Sequence, residues 1–265
     1  MNAPSPTLLY LSNCKLQHLN FVDKRKLLVL DLNGSLLYRP PPRHLTKPIP
    51  RPGVKNFLKF AFANFNIVVW SSAQSHNIQK MMHAVMNKEQ RKQVLLCMTR
   101  EDVDFEEGDR NTKIQTYKNL TKVWQQLKKD KDDNPAAWNQ FNTVIVDDSA
   151  IKCCAQPYNL LQLSDFQPSP TEKTKDFALV CAIRYLKHLK RIPNVCDYIR
   201  SYPFTSIQNV KSQEEGLREL DKMFKAYKRA LREQSDRLEL TSKVDTLQQN
   251  GETVQSGTVI GTTAN

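Results

Sequence analysis

The sequence predicts an α/β domain built on a doubly wound parallel sheet, and three observations predict it. Residues 27–30, 67–70 and 143–146 are short apolar runs with polar or turn residues on either side, the pattern of strands buried on both faces. Stretches with helical spacing alternate with these runs, which argues for parallel strands joined by crossover helices. A chain of 265 residues that is 40% hydrophobic can bury a full core of this kind, and residues 1–210 suffice for it.

The elements follow in order. The first strand ends at Asp31, and only about twenty residues separate it from Arg51, kept extended by Pro40, Pro41, Pro42, Pro48 and Pro50. Residues 54–64 read as a helix with Val54, Phe57, Leu58 and Ala61 on one face, leading into the strand that ends at Trp70. Residues 76–86 form a second helix, whose His76 and His83 read as surface or packing residues because no carboxylate joins them at helical spacing. A strand at 94–98 precedes an acidic loop at 99–113, with Glu101, Asp102, Asp104, Glu106, Glu107 and Asp109.

Residues 116–128 are expected to form the helix that bears Lys118, and 129–140 an exposed insertion. After the strand ending at Asp147 and Asp148, residues 151–163 return across the sheet. Phe177, Val180, Ile183 and Leu186 then mark an amphipathic helix that ends near Pro193. The expected organisation is an N-terminal extension (1–23), the α/β domain (24–210), a charged amphipathic helix (211–240) and a disordered tail (241–265). On that helix Leu217, Leu220, Phe224, Tyr227 and Leu231 keep the 3,4 spacing of a coiled-coil seam. A helix folded on its own domain or standing in solvent is the alternative to a partner zipper.

The chemistry lies at strand ends, where open parallel sheets bind ligands. Asp31 ends an apolar strand, Gly34 allows a close turn around an anion, and Ser35 supplies a hydroxyl. A carboxylate so placed can attack phosphorus and split one hydrolysis into two steps. Ser71 ends the next strand and could donate to a phosphate oxygen. Asp147 and Asp148 end a third strand, and adjacent carboxylates there point to a bound cation.

Together these residues resemble the haloacid dehalogenase superfamily, and within it the CTD-phosphatase-like or NLI-interacting-factor-like phosphatases. Arg51-Pro52-Gly53-Val54 with Phe57-Leu58, Trp70-Ser71-Ser72, Lys118-Asn119-Leu120 and Val146-Asp147-Asp148-Ser149 carry the resemblance over about residues 24–205. Asp31-Leu32-Asn33-Gly34 is similar to a fungal and plant subgroup. The resemblance implies a Rossmann-like fold with a short flap, too small to enclose the site, which suits a phosphate carried on a protein better than a free metabolite. It implies magnesium, with Asp31 as nucleophile and metal ligand, Asp148 as a second ligand and the Asn33 backbone carbonyl as a third. Ser71 and Lys118 would hold phosphate oxygens, and Asp147 would position Lys118. The implied activity is aspartyl-phosphate hydrolysis of phosphoserine or phosphothreonine on proteins.

Asn33 departs from the family pattern, in which an aspartate at that place protonates the leaving oxygen. A carboxamide transfers no proton, and such assistance is worth about 10²–10⁴ in rate. The expectation is a slow phosphatase, or alternatively a degenerate binding domain of the kind found in the mitochondrial presequence-receptor branch.

Composition narrows the setting. No run of about 18 apolar residues occurs, and the N-terminus carries neither a secretory nor a mitochondrial signal, so a nuclear or cytoplasmic protein is expected. Six cysteines without a Cys-x-x-Cys pair read as buried or incidental thiols. A net charge of +12 favours acidic or phosphorylated protein partners, and at most weak, non-specific binding of nucleic acid, since no nucleic-acid motif accompanies it.

Overall fold

The computed structural model describes residues 3–15, 25–41, 47–102, 115–129, 138–168 and 176–255, except the side chains of 129 and 242–255. The chain divides into two compact units, residues 1–223 and 224–265.

In the first unit a central sheet contains β1 (Leu27–Leu30), β4 (Asn66–Trp70), β5 (Val94–Met98), β6 (Thr143–Asp147) and β7 (Leu160–Gln162). All neighbours are parallel, in the order β5-β4-β1-β6-β7. The chain winds outward from β1 through β4 to β5, then crosses back to β6 and continues to β7. The winding therefore reverses between β1 and β6, and at that point an open α/β sheet leaves a crevice beyond its carboxyl edge. Register places Leu30 opposite Val69 on one side and Val146 on the other, so Asp31 leaves the sheet beside the last residues of β6.

All four residues of β1 are fully buried, as are Val68, Val69, Val144 and Val146. Burying the four β1 side chains contributes roughly 6–12 kcal/mol, enough to outweigh the several kcal/mol that burying a charged group at the strand end costs. Leu27, Val29, Val68, Trp70 and Ile145 pack on one face of the sheet with Leu120 and Val123 of α5 (Leu120–Lys129). α2 (Val54–Asn64) buries Val54, Phe57, Leu58 and Ala61, the face read from the sequence. α3 (Ser75–Val85) buries Ile78, Met81, Met82 and Val85 and leaves His76 and His83 exposed.

β2 (Leu37–Tyr38) and β3 (Ile49–Pro50) pair antiparallel over two residues each. An arm precedes the sheet, with α1 (Leu8–Asn13) capped by the Thr7 hydroxyl and anchored by buried Tyr10. α4 (Lys88–Lys92) opens with an Asn87–Gln90 capping box. α6 (Ala178–Leu189) and α7 (Val195–Ser201) follow β7, and α8 (Gln213–Gln255) is the last helix.

Three expectations are corrected. Lys118 does not lie on a helix: α5 begins at Leu120, because the Asn119 side chain accepts the Thr121 N–H at the helix entry while Lys118 N–H bonds Lys152 O at 2.6 Å. On α6, Val180 and Ile183 are only half-buried, and the buried stripe runs through Leu179, Ala182, Leu186 and Leu189. A strict three-residue spacing drifts around a helix of 3.6 residues per turn, whereas mixed three and four spacing does not. α8 runs on to Gln255, past the end expected at Leu240, through a segment with no proline and a single glycine, Gly251. The expected disorder at 256–265, the acidic loop beyond Asp102 and most of the insertion at 130–137 lie outside the described residues.

Candidate active site

The site grows from three strand ends. Asp31 follows β1, with its N–H on Val146 O at 2.9 Å. Asp147 closes β6, and Asp148 begins the turn after it. Ser71 follows β4, buried, with its N–H on Met98 O at 3.1 Å. Parallel pairing thus brings distant parts of the sequence to one edge. Carboxylate oxygens of Asp31, Asp147 and Asp148 lie within 4.8 Å of one another, and they are the one such group found among the described residues.

Lys118 enters from the segment before α5. Its Nζ donates to Asp31 Oδ1 at 2.8 Å and to Asp147 Oδ2, with both carboxylates and the ammonium almost fully buried. Burial disfavours the charged lysine, but Asp147 and Asp31 outweigh it and hold the ammonium protonated well above its ordinary range. Asp31 is pushed up from 3.8 to about 6, by burial first, against the opposing pull of Lys118 and with Asp147 adding to the rise. Burial also raises Asp148, against Lys152, whose Nζ stands 4.0 Å from its Oδ1.

Gly34 sits in the turn after Asp31 with φ +88, a left-handed conformation. A Cβ there would stand 2.8 Å from Asp165 Oδ1 and 2.9 Å from Asp148 Cγ, so only glycine lets this turn meet the carboxylates. The Asn33 side chain is already oriented: its Oδ1 accepts the Arg39 N–H at 2.6 Å, tying the position to the start of the flap.

With three carboxylates against one fully buried ammonium, the cluster carries an excess of negative charge that a divalent cation would balance. Hard oxygen donors at this spacing fit such a cation. Asp31, Asp147, Asp148, Lys118, Ser71 and Asn33 are therefore all at this edge.

The structure adds contacts that the sequence did not show for Ser35 and Arg51, and one residue, Thr116, that it did not single out. Ser35 Oγ lies 3.5 Å from Asp31 Oδ2 and 3.4 Å from Asp148 Oδ1, linking the two acidic segments. Thr116 Oγ1 donates to Ser72 Oγ at 2.9 Å, tying the Lys118 segment to the end of β4. Arg51 holds the turn from outside, donating to Ser35 O at 3.1 Å, Ser164 O at 2.9 Å and Asp176 Oδ2 at 2.7 Å. The signal for Lys152 was its place four residues after Asp148; that for Arg51 was its place in the Arg51-Pro52-Gly53-Val54 motif.

Comparison with known proteins adds a lineage to this geometry. The sequence model of the family described as NLI interacting factor-like phosphatase matches residues 26–196. A Schizosaccharomyces pombe protein, described as an uncharacterised FCP1 homology domain-containing protein, is 46% identical over 236 residues, covering 86% of this chain and 96% of its own. An Arabidopsis thaliana ubiquitin-like domain-containing CTD phosphatase is 24% identical over 194 residues, 72% of this chain but 54% of the plant protein. Among solved structures, Fcp1, described as an essential RNA polymerase II CTD phosphatase, aligns with a TM-score of 0.38 at 13% identity, covering 79% of this chain and 63% of that one.

Proposed function

Since the chain belongs to the NLI interacting factor-like phosphatase family, we propose that it is a magnesium-dependent phosphatase domain acting on phosphoserine or phosphothreonine in proteins, slowed by Asn33. The observation that carries this reading is Lys118 bridging Asp31 and Asp147 beside Asp148.

On this reading Asp31 attacks phosphorus and the bond to the leaving serine or threonine oxygen breaks, giving an aspartyl phosphate. Lys118 and the Ser71 hydroxyl hold non-bridging oxygens, and Asp147 fixes Lys118. Asp31, Asp148 and the Asn33 backbone carbonyl would hold magnesium, which supplies charge neutralisation at the transferring group when bound. Water then opens the aspartyl phosphate. The leaving oxygen must depart without a proton from position 33, which favours leaving groups of low pKa such as aryl phosphates. A phosphorylated protein is the proposed partner, the short flap leaving room for one, and a nuclear or cytoplasmic setting goes with it.

One observation favours a second reading, a binding module without turnover: the Asn33 carboxamide is committed to Arg39 N–H and brings no acid to the site. Hydrolysis of an aryl phosphate with magnesium, measured for the wild type, Asn33→Asp and Asp31→Asn, separates the two. A gain in the first variant and abolition in the second supports the phosphatase. Flat traces in all three support the binding module.

A further inference from the structure

Away from the carboxylate edge, the N-terminal arm meets the domain through two thiols that the proposed chemistry does not use. Tyr10 and Cys14 of the arm pack with Cys196 of α7, and both cysteines are 0% exposed. The two thiols lie in one buried cluster, and the Cys196 thiol donates to Asn194 Oδ1 at 3.1 Å. Cys14 follows the last turn of α1 with its N–H on Tyr10 O, so its place is fixed by the helix.

The arm is otherwise held by neutral contacts. Tyr10 Oη donates to Asn159 Oδ1 at 3.0 Å and accepts the Tyr158 N–H at 2.8 Å, and Asn194 Nδ2 donates to Asn13 O at 3.2 Å. Asn159 in turn bonds Thr143 O, at the start of β6 and so at the sheet edge opposite Asp147. The arm also lies before the stretch that matches the family, 26–196.

We propose that Cys14 and Cys196 are a redox modification site, closing to an intrachain disulfide in the presence of a small disulfide oxidant such as oxidised glutathione and stapling the arm to α7. Cys14 belongs to the arm and meets solvent when the arm lifts, while Cys196 stays on α7, so Cys14 is the first nucleophile and Cys196 the resolving thiol. After the arm lifts, the Cys14 thiolate attacks one sulfur of oxidised glutathione and displaces one glutathione thiolate. Once the arm reseats, Cys196 loses its proton and its sulfur attacks Cys14 Sγ, displacing the second glutathione. Two protein thiols are oxidised, one glutathione disulfide is reduced, and the two thiol protons end on the two glutathiones.

The test uses the full chain, incubated natively with oxidised glutathione, alkylated and digested without reduction for mass spectrometry. The expected product is a peptide linking Cys14 to Cys196, with amide exchange over residues 8–14 slowed by about tenfold or more and restored by dithiothreitol. Cys14→Ser and Cys196→Ser should each abolish both effects; should either variant fail to fold, the dithiothreitol reversal on the wild type still decides. A glutathione adduct that stops at one cysteine, a different pairing, or no oxidation overturns the proposal. Aryl phosphate turnover of the linked protein should be unchanged, so this result stands or falls apart from the phosphatase reading.

Discussion

Lys118 Nζ lies 2.8 Å from Asp31 Oδ1 and also bonds Asp147, so a single ammonium joins the ends of β1 and β6. Its removal would leave two buried carboxylates facing each other. Lys118→Met should therefore destabilise the domain by about 3–5 kcal/mol, the range for breaking a buried ion pair from one side. Urea unfolding checks it. A loss below about 1 kcal/mol would mean that water replaces the ammonium without cost.

That junction also shows how far the sequence could be read. Asp31, Asp147 and Asp148 were legible because each ends an apolar strand, and a parallel sheet brings such ends to one edge whatever lies between them. Lys118 was legible only through its motif, since its local sequence suggests a solvated helix face; tertiary bonds to Lys152 O and Asp31 decide its position instead. The Arg51 bonds to Ser164 and Asp176 and the packing of Tyr10 and Cys14 on Cys196 join residues far apart in sequence. No periodicity encodes such meetings.

Gly34→Ala and Gly53→Ala make an informative pair, since both glycines have positive φ, +88 and +80. A Cβ at Gly53 meets nothing nearer than Leu179 Cβ at 3.8 Å, whereas one at Gly34 enters the Asp148 and Asp165 carboxylates. Gly53→Ala should cost only backbone strain, on the order of 1 kcal/mol, and Gly34→Ala about 1–3 kcal/mol more. Equal losses in thermal or urea unfolding would show that the Gly34 turn has room to relax.

Asp31 gives the metal-free protein a pH signature. An acid raised from 3.8 to about 6 in the folded state holds its proton there after the unfolded chain has released it. Folding stability of the metal-free chain should therefore fall as pH rises through this window, from this group. A cation that needs the ionised carboxylate should stabilise the protein more at about pH 7 than at about pH 5. Melting temperatures with and without magnesium at both values test this, and an equal shift at both would contradict it.

His188 supplies the opposite slope in the same unit. It is buried on α6 with Nε2 3.0 Å from Asp221 Oδ1, and burial lowers it from 6.5 although Asp221 pulls upward and Arg184 and Arg191 downward. A base lowered in the folded state binds fewer protons than the unfolded chain does below 6.5. Its stabilising contribution is complete above that value and is lost as pH falls through it. His188→Gln, which keeps a donor for Asp221, should flatten the stability profile between about pH 5 and about pH 7 relative to wild type. The comparison is made by urea unfolding on protein carrying Asp31→Asn in both arms, so that the Asp31 titration does not overlap it. An unchanged slope would mean that His188 binds its proton equally in the folded and unfolded states over that range, so that burial and the Asp221 contact cancel.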